Sequence, residues 1–172
     1  KMIDISIINY GMGNLYSVLC ACEKVGFKAK ITDNPRDIED SRLLILPGVG
    51  AFPSAMKELN NKNLDNVIIK QNQKGKKIIG ICLGMQMLCE RSEEGKAEGL
   101  SFVRGTVQKF RFPEEVKLKI PHMGWNVVNP VKGSRLFSDS EDELRFYFVH
   151  SYHVVPSNSG ILSSYTDYGM DF

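Results

Sequence analysis

The stretch that organises this sequence is Gly80-Ile81-Cys82-Leu83-Gly84-Met85-Gln86. It follows the apolar pair Ile78-Ile79 and leads into Met87-Leu88-Cys89-Glu90, which predicts a strand, a sharp turn and a helix. The flanking glycines let the neighbouring main chain approach a strained residue at such a turn closely. Cys82 would then lie at a helix N-terminus, which favours the thiolate over the thiol. We therefore interpret Cys82 as a candidate nucleophile.

Cys82 also has a simpler interpretation. A cysteine within an apolar run is commonly a small buried hydrophobe, and short motifs often match by chance. The heptapeptide alone leaves both interpretations open, so the rest of the chain has to decide between them.

Length and composition favour one globular domain that covers residues 1–172. The net charge is only +2, so nothing in the sequence demands a nucleic-acid partner. No apolar run approaches the length of a membrane span, and the N-terminus lacks a signal-peptide pattern. The cysteines have neither the spacing of a metal site nor the density of a disulfide framework. We therefore expect a reducing, cytoplasmic location and no metal or cofactor.

The first ninety residues alternate between strand and helix patterns. Isoleucine-rich Ile3–Asn9 is typical of a strand buried on both faces, and Leu64–Gln73 is predicted as a helix. This alternation predicts a doubly wound, mostly parallel α/β sheet with active groups at the carboxyl ends of its strands. The other predicted elements are strands at Lys28–Thr32, Arg42–Leu46 and Ile78–Ile81, a helical face of Leu15, Val18, Leu19, Cys22 and Val25, and a second of Phe52, Ala55, Met56 and Leu59.

Glycine-bearing turns near Gly11, Gly48 and Gly84 follow predicted strands and should face one crevice. The turn at Gly11 could also indicate nucleotide binding, but a convincing third glycine and a downstream acidic partner are missing. The Pro47–Gly50 turn could offer backbone N–H groups to a developing oxyanion, which would suit a cysteine nucleophile.

The sequence changes character after Glu90. The charged stretch Arg91–Gly99 is predicted to be a solvated surface loop. From Phe102 onward, short β-branched or aromatic segments separated by turns predict an antiparallel β region added to the sheet. These segments are Val103–Phe112, Trp125–Val128, Phe146–Val149, Tyr152–Val155 and Ile161–Tyr165.

Five motifs together resemble the class I (triad) glutamine amidotransferases, and among them the glutaminase subunits of imidazole glycerol phosphate synthases. They are Asn9–Leu15, Pro47–Phe52, Gly80–Gln86, Pro121–Asn126 and Phe146–Tyr152. The elbow at Cys82 is shared across the wider superfamily, whereas the first, fourth and fifth motifs indicate the narrower group. The resemblance covers nearly the whole chain and implies a flavodoxin-like architecture.

The resemblance also implies roles for individual residues. Cys82 would attack the side-chain amide of glutamine, and the backbone at Val49 and Leu83 would stabilise the oxyanion. Residues implied to bind the glutamine substrate are Gly48, Gly50, Gln86, His150, Ser151 and Tyr152. The implied partner is a synthase subunit of the (β/α)8-barrel type that forms a heterodimer with this chain and uses the ammonia in histidine biosynthesis. Residues implied to face this partner are Asn14, Met123, Trp125 and Tyr147.

One family feature is missing from this sequence. Family members complete the triad with a His-Pro-Glu segment, but none of His122, His150 and His153 is followed by Pro-Glu. We therefore expect the 172-residue chain to lack its C-terminal segment and to be catalytically incomplete. Three alternatives stay open: a paralogue that supplies ammonia to amidate a surface sugar, a non-catalytic module that binds a barrel partner, and a cysteine hydrolase or redox sensor on the same fold.

Overall fold

The computed structural model describes residues 3–137 and 143–172. The chain divides into two compact units, Lys1–Val103 and Arg104–Phe172. Within the described residues, no helix is long and apolar enough to cross a membrane.

The first unit is built on four parallel strands in the order β2-β1-β3-β4. β1 is buried along its whole length, as the isoleucine-rich sequence predicts. The elements of the first unit are β1 (Ile5–Ile8), α1 (Leu15–Lys24), β2 (Ala29–Thr32), α2 (Pro35–Asp40), β3 (Leu43–Gly48), α3 (Phe52–Asn61), α4 (Leu64–Gln73), β4 (Lys77–Cys82), α5 (Leu83–Met87), β5 (Cys89–Ser92), a 3-10 turn (Glu94–Lys96) and β6 (Ala97–Glu98). The predicted alternation of strand and helix is confirmed.

Helix α1 packs on the sheet through one apolar face. Cys22 joins Ile7 and Ile45 in a buried cluster, which confirms that this cysteine is a packing residue. The prediction was wrong for Val25, because the helix ends at Lys24 and the Val25 side chain is 70% exposed.

Helix α2 was not predicted, because six residues with one buried apolar side chain, Ile38, show no helical period. Its local signals are the Asn34 side chain, which accepts a hydrogen bond from the Arg36 N–H at 2.9 Å, and Pro35 in the first turn. At its other end, the Lys76 Nζ atom donates to the backbone oxygens of Ile38 and Glu39 at 2.6 and 2.7 Å. Lys76, which lies in a later segment, thus satisfies backbone carbonyl groups at the C-terminal end of α2.

The prediction of a surface loop at Arg91–Gly99 was wrong. β5 and β6 pair antiparallel there, with Arg91 opposite Glu98. The Glu94 carboxylate accepts a hydrogen bond from the Phe52 N–H at 2.8 Å, at the start of α3. Because the capping position of α3, Ala51, has no side chain that can accept, Glu94 serves as the cap from a distant part of the chain.

The second unit consists of antiparallel pairs, as the sequence predicts. β8 pairs with β10, β7 with β11 and β9 with β12. The strands are β7 (Val103–Lys109), β8 (His122–Val127), β9 (Asn129–Pro130), β10 (Arg145–His150), β11 (Tyr152–Pro156) and β12 (Ser164–Tyr165). In the β8–β10 pair, His122 lies opposite His150 and Trp125 opposite Tyr147.

Replacing Glu94 by alanine should lower the free energy of unfolding by about 0.5–2 kcal/mol, because α3 loses its cap. Urea denaturation followed by circular dichroism measures the change. Glu94→Gln retains an oxygen acceptor and should lose less. An unchanged free energy of unfolding in Glu94→Ala would contradict the capping role.

Candidate active site

Cys82 lies at the sharp turn between β4 and α5, with its side chain exposed. Its backbone angles are φ 55° and ψ −118°, outside the regions that non-glycine residues normally occupy. Such a conformation costs about 1–3 kcal/mol and persists only where the surrounding structure enforces it. The strained strand-turn-helix predicted from the sequence is confirmed, and the alternative of a buried packing cysteine is wrong.

Two glycines of the elbow are required by close main-chain packing. A Cβ atom on Gly84 would overlap the backbone oxygen of Leu46 in β3, and one on Gly80 would lie 2.6 Å from the Met85 nitrogen. The first turn of α5 therefore rests directly on the backbone of β3. This contact fixes where the chain turns and so where the Cys82 side chain is presented.

The predicted glycine turns meet around Gly48. Gly48 is paired with Cys82 in the β3–β4 ladder. A Cβ atom on Gly48 would lie 2.7 Å from the Tyr10 hydroxyl and 2.8 Å from the Gly84 nitrogen, and one on Gly13 would lie 3.6 Å from the Gly48 nitrogen. The carboxyl ends of β1, β3 and β4 thus form one crowded cluster, with Cys82 at its exposed side.

Tyr10 is a buried member of this cluster that the sequence interpretation did not single out. Its side chain is fully buried, and its hydroxyl donates a hydrogen bond to the Pro47 oxygen at 2.8 Å. Burial, with a smaller contribution from the Cys82 charge, raises the pKa of Tyr10 to about 12. The only sequence signal for this residue was its position inside the Asn9–Leu15 motif.

In the second unit, two histidines form a directed hydrogen-bond chain. His150 Nδ1 lies 2.9 Å from the Tyr152 oxygen, and His150 Nε2 lies 2.9 Å from His122 Nδ1. A carbonyl can only accept, so His150 carries a proton on Nδ1. When both histidines are neutral, His150 Nε2 is bare and His122 Nδ1 donates to it. His122 Nε2 is then left to accept from Asn126 Nδ2 at 3.3 Å. This arrangement holds only while both histidines are neutral.

The opposite face of the β8–β10 pair is apolar and exposed. Met123, Trp125 and Tyr147 are 60%, 68% and 57% exposed. The rings of Trp125 and Tyr147 meet edge to face, with centroids 5.7 Å apart. Trp125 is therefore a surface residue and not part of the core. Contact of Met123, Trp125 or Tyr147 with a partner stays a prediction.

Comparison with known proteins agrees with this geometry. The sequence profile described as "Glutamine amidotransferase class-I" matches residues 6–169. The chain belongs to the class-I glutamine amidotransferase family.

Individual relatives of this amidotransferase carry a narrower name. The imidazole glycerol phosphate synthase subunit HisH of Geobacter metallireducens is 42% identical over 99% of this chain and 83% of its own length. The subunit HisH of Desulfitobacterium hafniense is 46% identical over 98% of this chain and 78% of its own length.

Solved structures support the fold. PurLQS from Thermotoga maritima superposes with a TM-score of 0.71 at 19% identity, covering 99% of this chain and 77% of that one. A crystal structure described as that of a glutamine amidotransferase also gives a TM-score of 0.71, at 14% identity, covering 96% of this chain and 85% of that one. The predicted fold class, a mostly parallel α/β sheet with an added antiparallel region, is confirmed.

The remaining predicted site residues of this amidotransferase lie as follows in the first unit. Val49 is half exposed directly after β3, and Gly50 follows with φ +92°. Leu83 and Gln86 are buried in α5, so Gln86 does not face solvent. Asn14 is exposed, and its side chain caps α1 by accepting from the Ser17 N–H at 3.3 Å. Their roles in binding stay predictions.

Ser151 and Tyr152 continue from β10 into β11 in the second unit. The Ser151 oxygen accepts a hydrogen bond from the Phe110 N–H at 3.1 Å, and the Tyr152 oxygen accepts from His150. Both ring nitrogens of His150 are therefore engaged within the unit. Contact of His150, Ser151 or Tyr152 with substrate stays a prediction.

The free energy of unfolding should fall when the pH is lowered from about 7 to about 5. Burial lowers the pKa of His122 and of His150 below the ordinary value of 6.5. Between the native pKa and 6.5, the unfolded chain binds more protons than the folded chain, so the free energy of unfolding rises with pH. When the pH falls through this window, the stability that comes from the neutral histidines is lost, and the loss is complete below the native pKa. Urea denaturation at each pH measures the effect.

A matched variant isolates the histidine contribution. His122→Phe keeps a ring between Phe148 and Tyr168, which stack on His122 at centroid distances of 4.8 and 4.0 Å, but removes both nitrogens. Its pH-dependent loss of stability should be smaller than that of the wild type. Equal pH-dependent losses of stability in the wild type and His122→Phe would contradict a contribution from His122.

Proposed function

We propose that this chain is the glutaminase subunit of imidazole glycerol phosphate synthase. It hydrolyses glutamine through a Cys82 thioester and passes the ammonia to a (β/α)8-barrel synthase subunit for histidine biosynthesis in the cytoplasm. The observation that carries this proposal is the exposed, strained Cys82 at the β4–α5 elbow, in a chain 42–46% identical to proteins named HisH.

The geometry of the elbow suits acyl transfer. The Cys82 sulfur attacks the glutamine amide carbon, and the C=O electron pair moves onto the oxygen. Collapse of this intermediate breaks the C–N bond, and the thiol proton leaves with the nitrogen as ammonia. Water then cleaves the thioester to glutamate and restores the thiol. The two steps together convert one glutamine and one water into one glutamate and one ammonia.

Two backbone N–H groups are the proposed oxyanion donors. Leu83 directly follows Cys82, and Val49 directly follows Gly48, the ladder partner of Cys82. Each proposed donor is therefore the direct neighbour of a residue that the β3–β4 ladder and the α5 packing hold in place. Donors of this kind contribute roughly 3–4 kcal/mol each to the transition state in other acyl-transfer enzymes.

The exposed face of the β8–β10 pair is the proposed docking surface for the synthase partner. Met123, Trp125 and Tyr147 present a contiguous apolar area on it, and large aromatic side chains often dominate binding energy at protein interfaces. Asn14 is the proposed partner contact in the first unit, where it is exposed at the start of α1.

Cys82→Ala should abolish glutamine-dependent synthesis in the complex of the full-length protein with its synthase partner. Added ammonium salt should still support the reaction, because the synthase subunit is intact. Product formation is measured by absorbance or chromatography. Undiminished glutamine-dependent synthesis in Cys82→Ala would refute the proposed function.

A chloroketone analogue of glutamine tests the nucleophile in the 172-residue chain itself. Mass spectrometry should find the adduct on Cys82, and Cys20→Ala should retain it although Cys20 is also exposed. We expect labelling to be confined to Cys82, because the analogue places its electrophilic carbon where the glutamine amide carbon would bind. Labelling of the Cys82→Ala chain at an equal rate would contradict the assignment.

Trp125→Ala and Tyr147→Ala should each weaken binding of the synthase partner by at least about tenfold, because tryptophan and tyrosine are enriched among the few interface residues whose truncation costs about 2 kcal/mol or more. Isothermal titration calorimetry measures the dissociation constant. Phe27→Ala is the control, since Phe27 is also half exposed but lies before β2, at the other end of the sheet from Asn14. Equal weakening by all three substitutions would argue against this surface.

A further inference from the structure

We propose that Tyr10 is a positioning residue for the oxyanion turn, defined as Pro47–Gly50. This inference rests on the proposed glutaminase function and names a residue that controls its transition state. Tyr10 does not touch the reacting atoms in this proposal. It acts through the peptide that precedes the Val49 N–H.

The Tyr10 hydroxyl holds one end of that turn. It donates to the Pro47 oxygen at 2.8 Å, and the tyrosine is fully buried. The Pro47 carbonyl and the Gly48 N–H belong to a single planar peptide. The next peptide carries the Val49 N–H, so only the two soft torsions of Gly48 separate the anchored plane from the donor.

Gly48 explains why such an anchor is needed. A Cβ atom there would lie 2.7 Å from the Tyr10 hydroxyl, 2.8 Å from the Gly84 nitrogen and 3.0 Å from the Leu83 Cβ atom, so the packing demands glycine. Glycine is the residue with the greatest backbone freedom. Gly48 must therefore be small and has little conformational preference of its own. The β3–β4 ladder restrains it from one side, and the Tyr10 hydroxyl adds a second restraint on the preceding peptide.

The same hydroxyl lies beside the elbow helix. Its oxygen is 3.7 Å from the Met87 sulfur, at the end of α5. Tyr10 therefore contacts both the oxyanion turn and the helix that begins after Cys82, the two segments that carry the proposed donors. A tyrosine hydroxyl is protonated at neutral pH and can donate, and burial raises the pKa of Tyr10 further, to about 12.

The test is Tyr10→Phe in the full-length protein bound to its synthase partner. This variant removes one oxygen and keeps the ring. We expect kcat for glutamine to fall roughly five- to fiftyfold with KM changed less than about twofold, because the oxyanion forms only after binding. Alkylation of Cys82 by iodoacetamide should proceed at the wild-type rate, since the nucleophile is untouched.

Ser6→Ala is the matched control. Ser6 is also fully buried, lies in β1, and donates from its hydroxyl to a backbone oxygen, that of Asp37, at 3.0 Å. Both variants lose one buried hydroxyl-to-carbonyl hydrogen bond and should lose similar stability. Only Tyr10→Phe should lose kcat.

Four results would refute part of the proposal, and a fifth would support it. A wild-type kcat in Tyr10→Phe, an equal loss in Ser6→Ala, or a Tyr10→Phe protein that does not fold would each overturn the positioning role and leave the glutaminase function standing. A wild-type complex that releases no ammonia from glutamine would instead refute the function on which the inference rests. A selective loss of kcat in Tyr10→Phe supports the proposal.

Discussion

The direct packing of main chain on main chain between β3 and the start of α5 is the constraint on which the site depends. Gly84 rests against the Leu46 carbonyl, and Gly48 lies between Tyr10 and the Gly84 nitrogen. No side chain fits at either position. This close approach forces the chain to turn at Cys82, and the strained φ and ψ of that residue are its consequence. The exposure of the thiol follows from the turn, since the residues on either side are fixed by the ladder and by the helix.

The strain at Cys82 is supported by ordinary interactions elsewhere in the first unit. Six residue pairs join β3 to β4 in register, ending at Gly48 and Cys82. Leu83 and Met87 are buried on α5 and hold the short helix down. A five-residue helix has little stability of its own, so this burial and the two glycines keep the elbow in place. Cys82, the proposed nucleophile, is thus the residue of the elbow whose backbone conformation local propensity supports least.

Much of this architecture could be predicted from the sequence because it depends on local residue patterns. Runs of isoleucine and leucine marked the parallel strands, and the glycines around Cys82 marked the elbow. What was missed depends on residues far apart in the chain. Helix α2 has too few apolar residues to show a period and relies on Lys76. Arg91–Gly99, predicted as a loop, instead contains a strand pair, and Glu94 between its strands reaches back to Phe52, 42 residues earlier. The Tyr10 hydroxyl finds its acceptor 37 residues later.

The β8–β10 pair shows how one register can serve two surfaces. Successive residues of a strand point to opposite faces, so pairing His122 with His150 places Trp125 and Tyr147 together on the other face. A slip of one residue would bury the aromatic side chains and expose the histidines. Apolar contacts on an exposed face cannot prevent such a slip, because they gain little from burial there. The hydrogen bond between the two neutral imidazoles has directional geometry and is partly buried. Together with the rings of Phe148 and Tyr168 that stack on His122, this hydrogen bond favours the observed register, which leaves the apolar side chains of Trp125 and Tyr147 on the opposite face of the same strands.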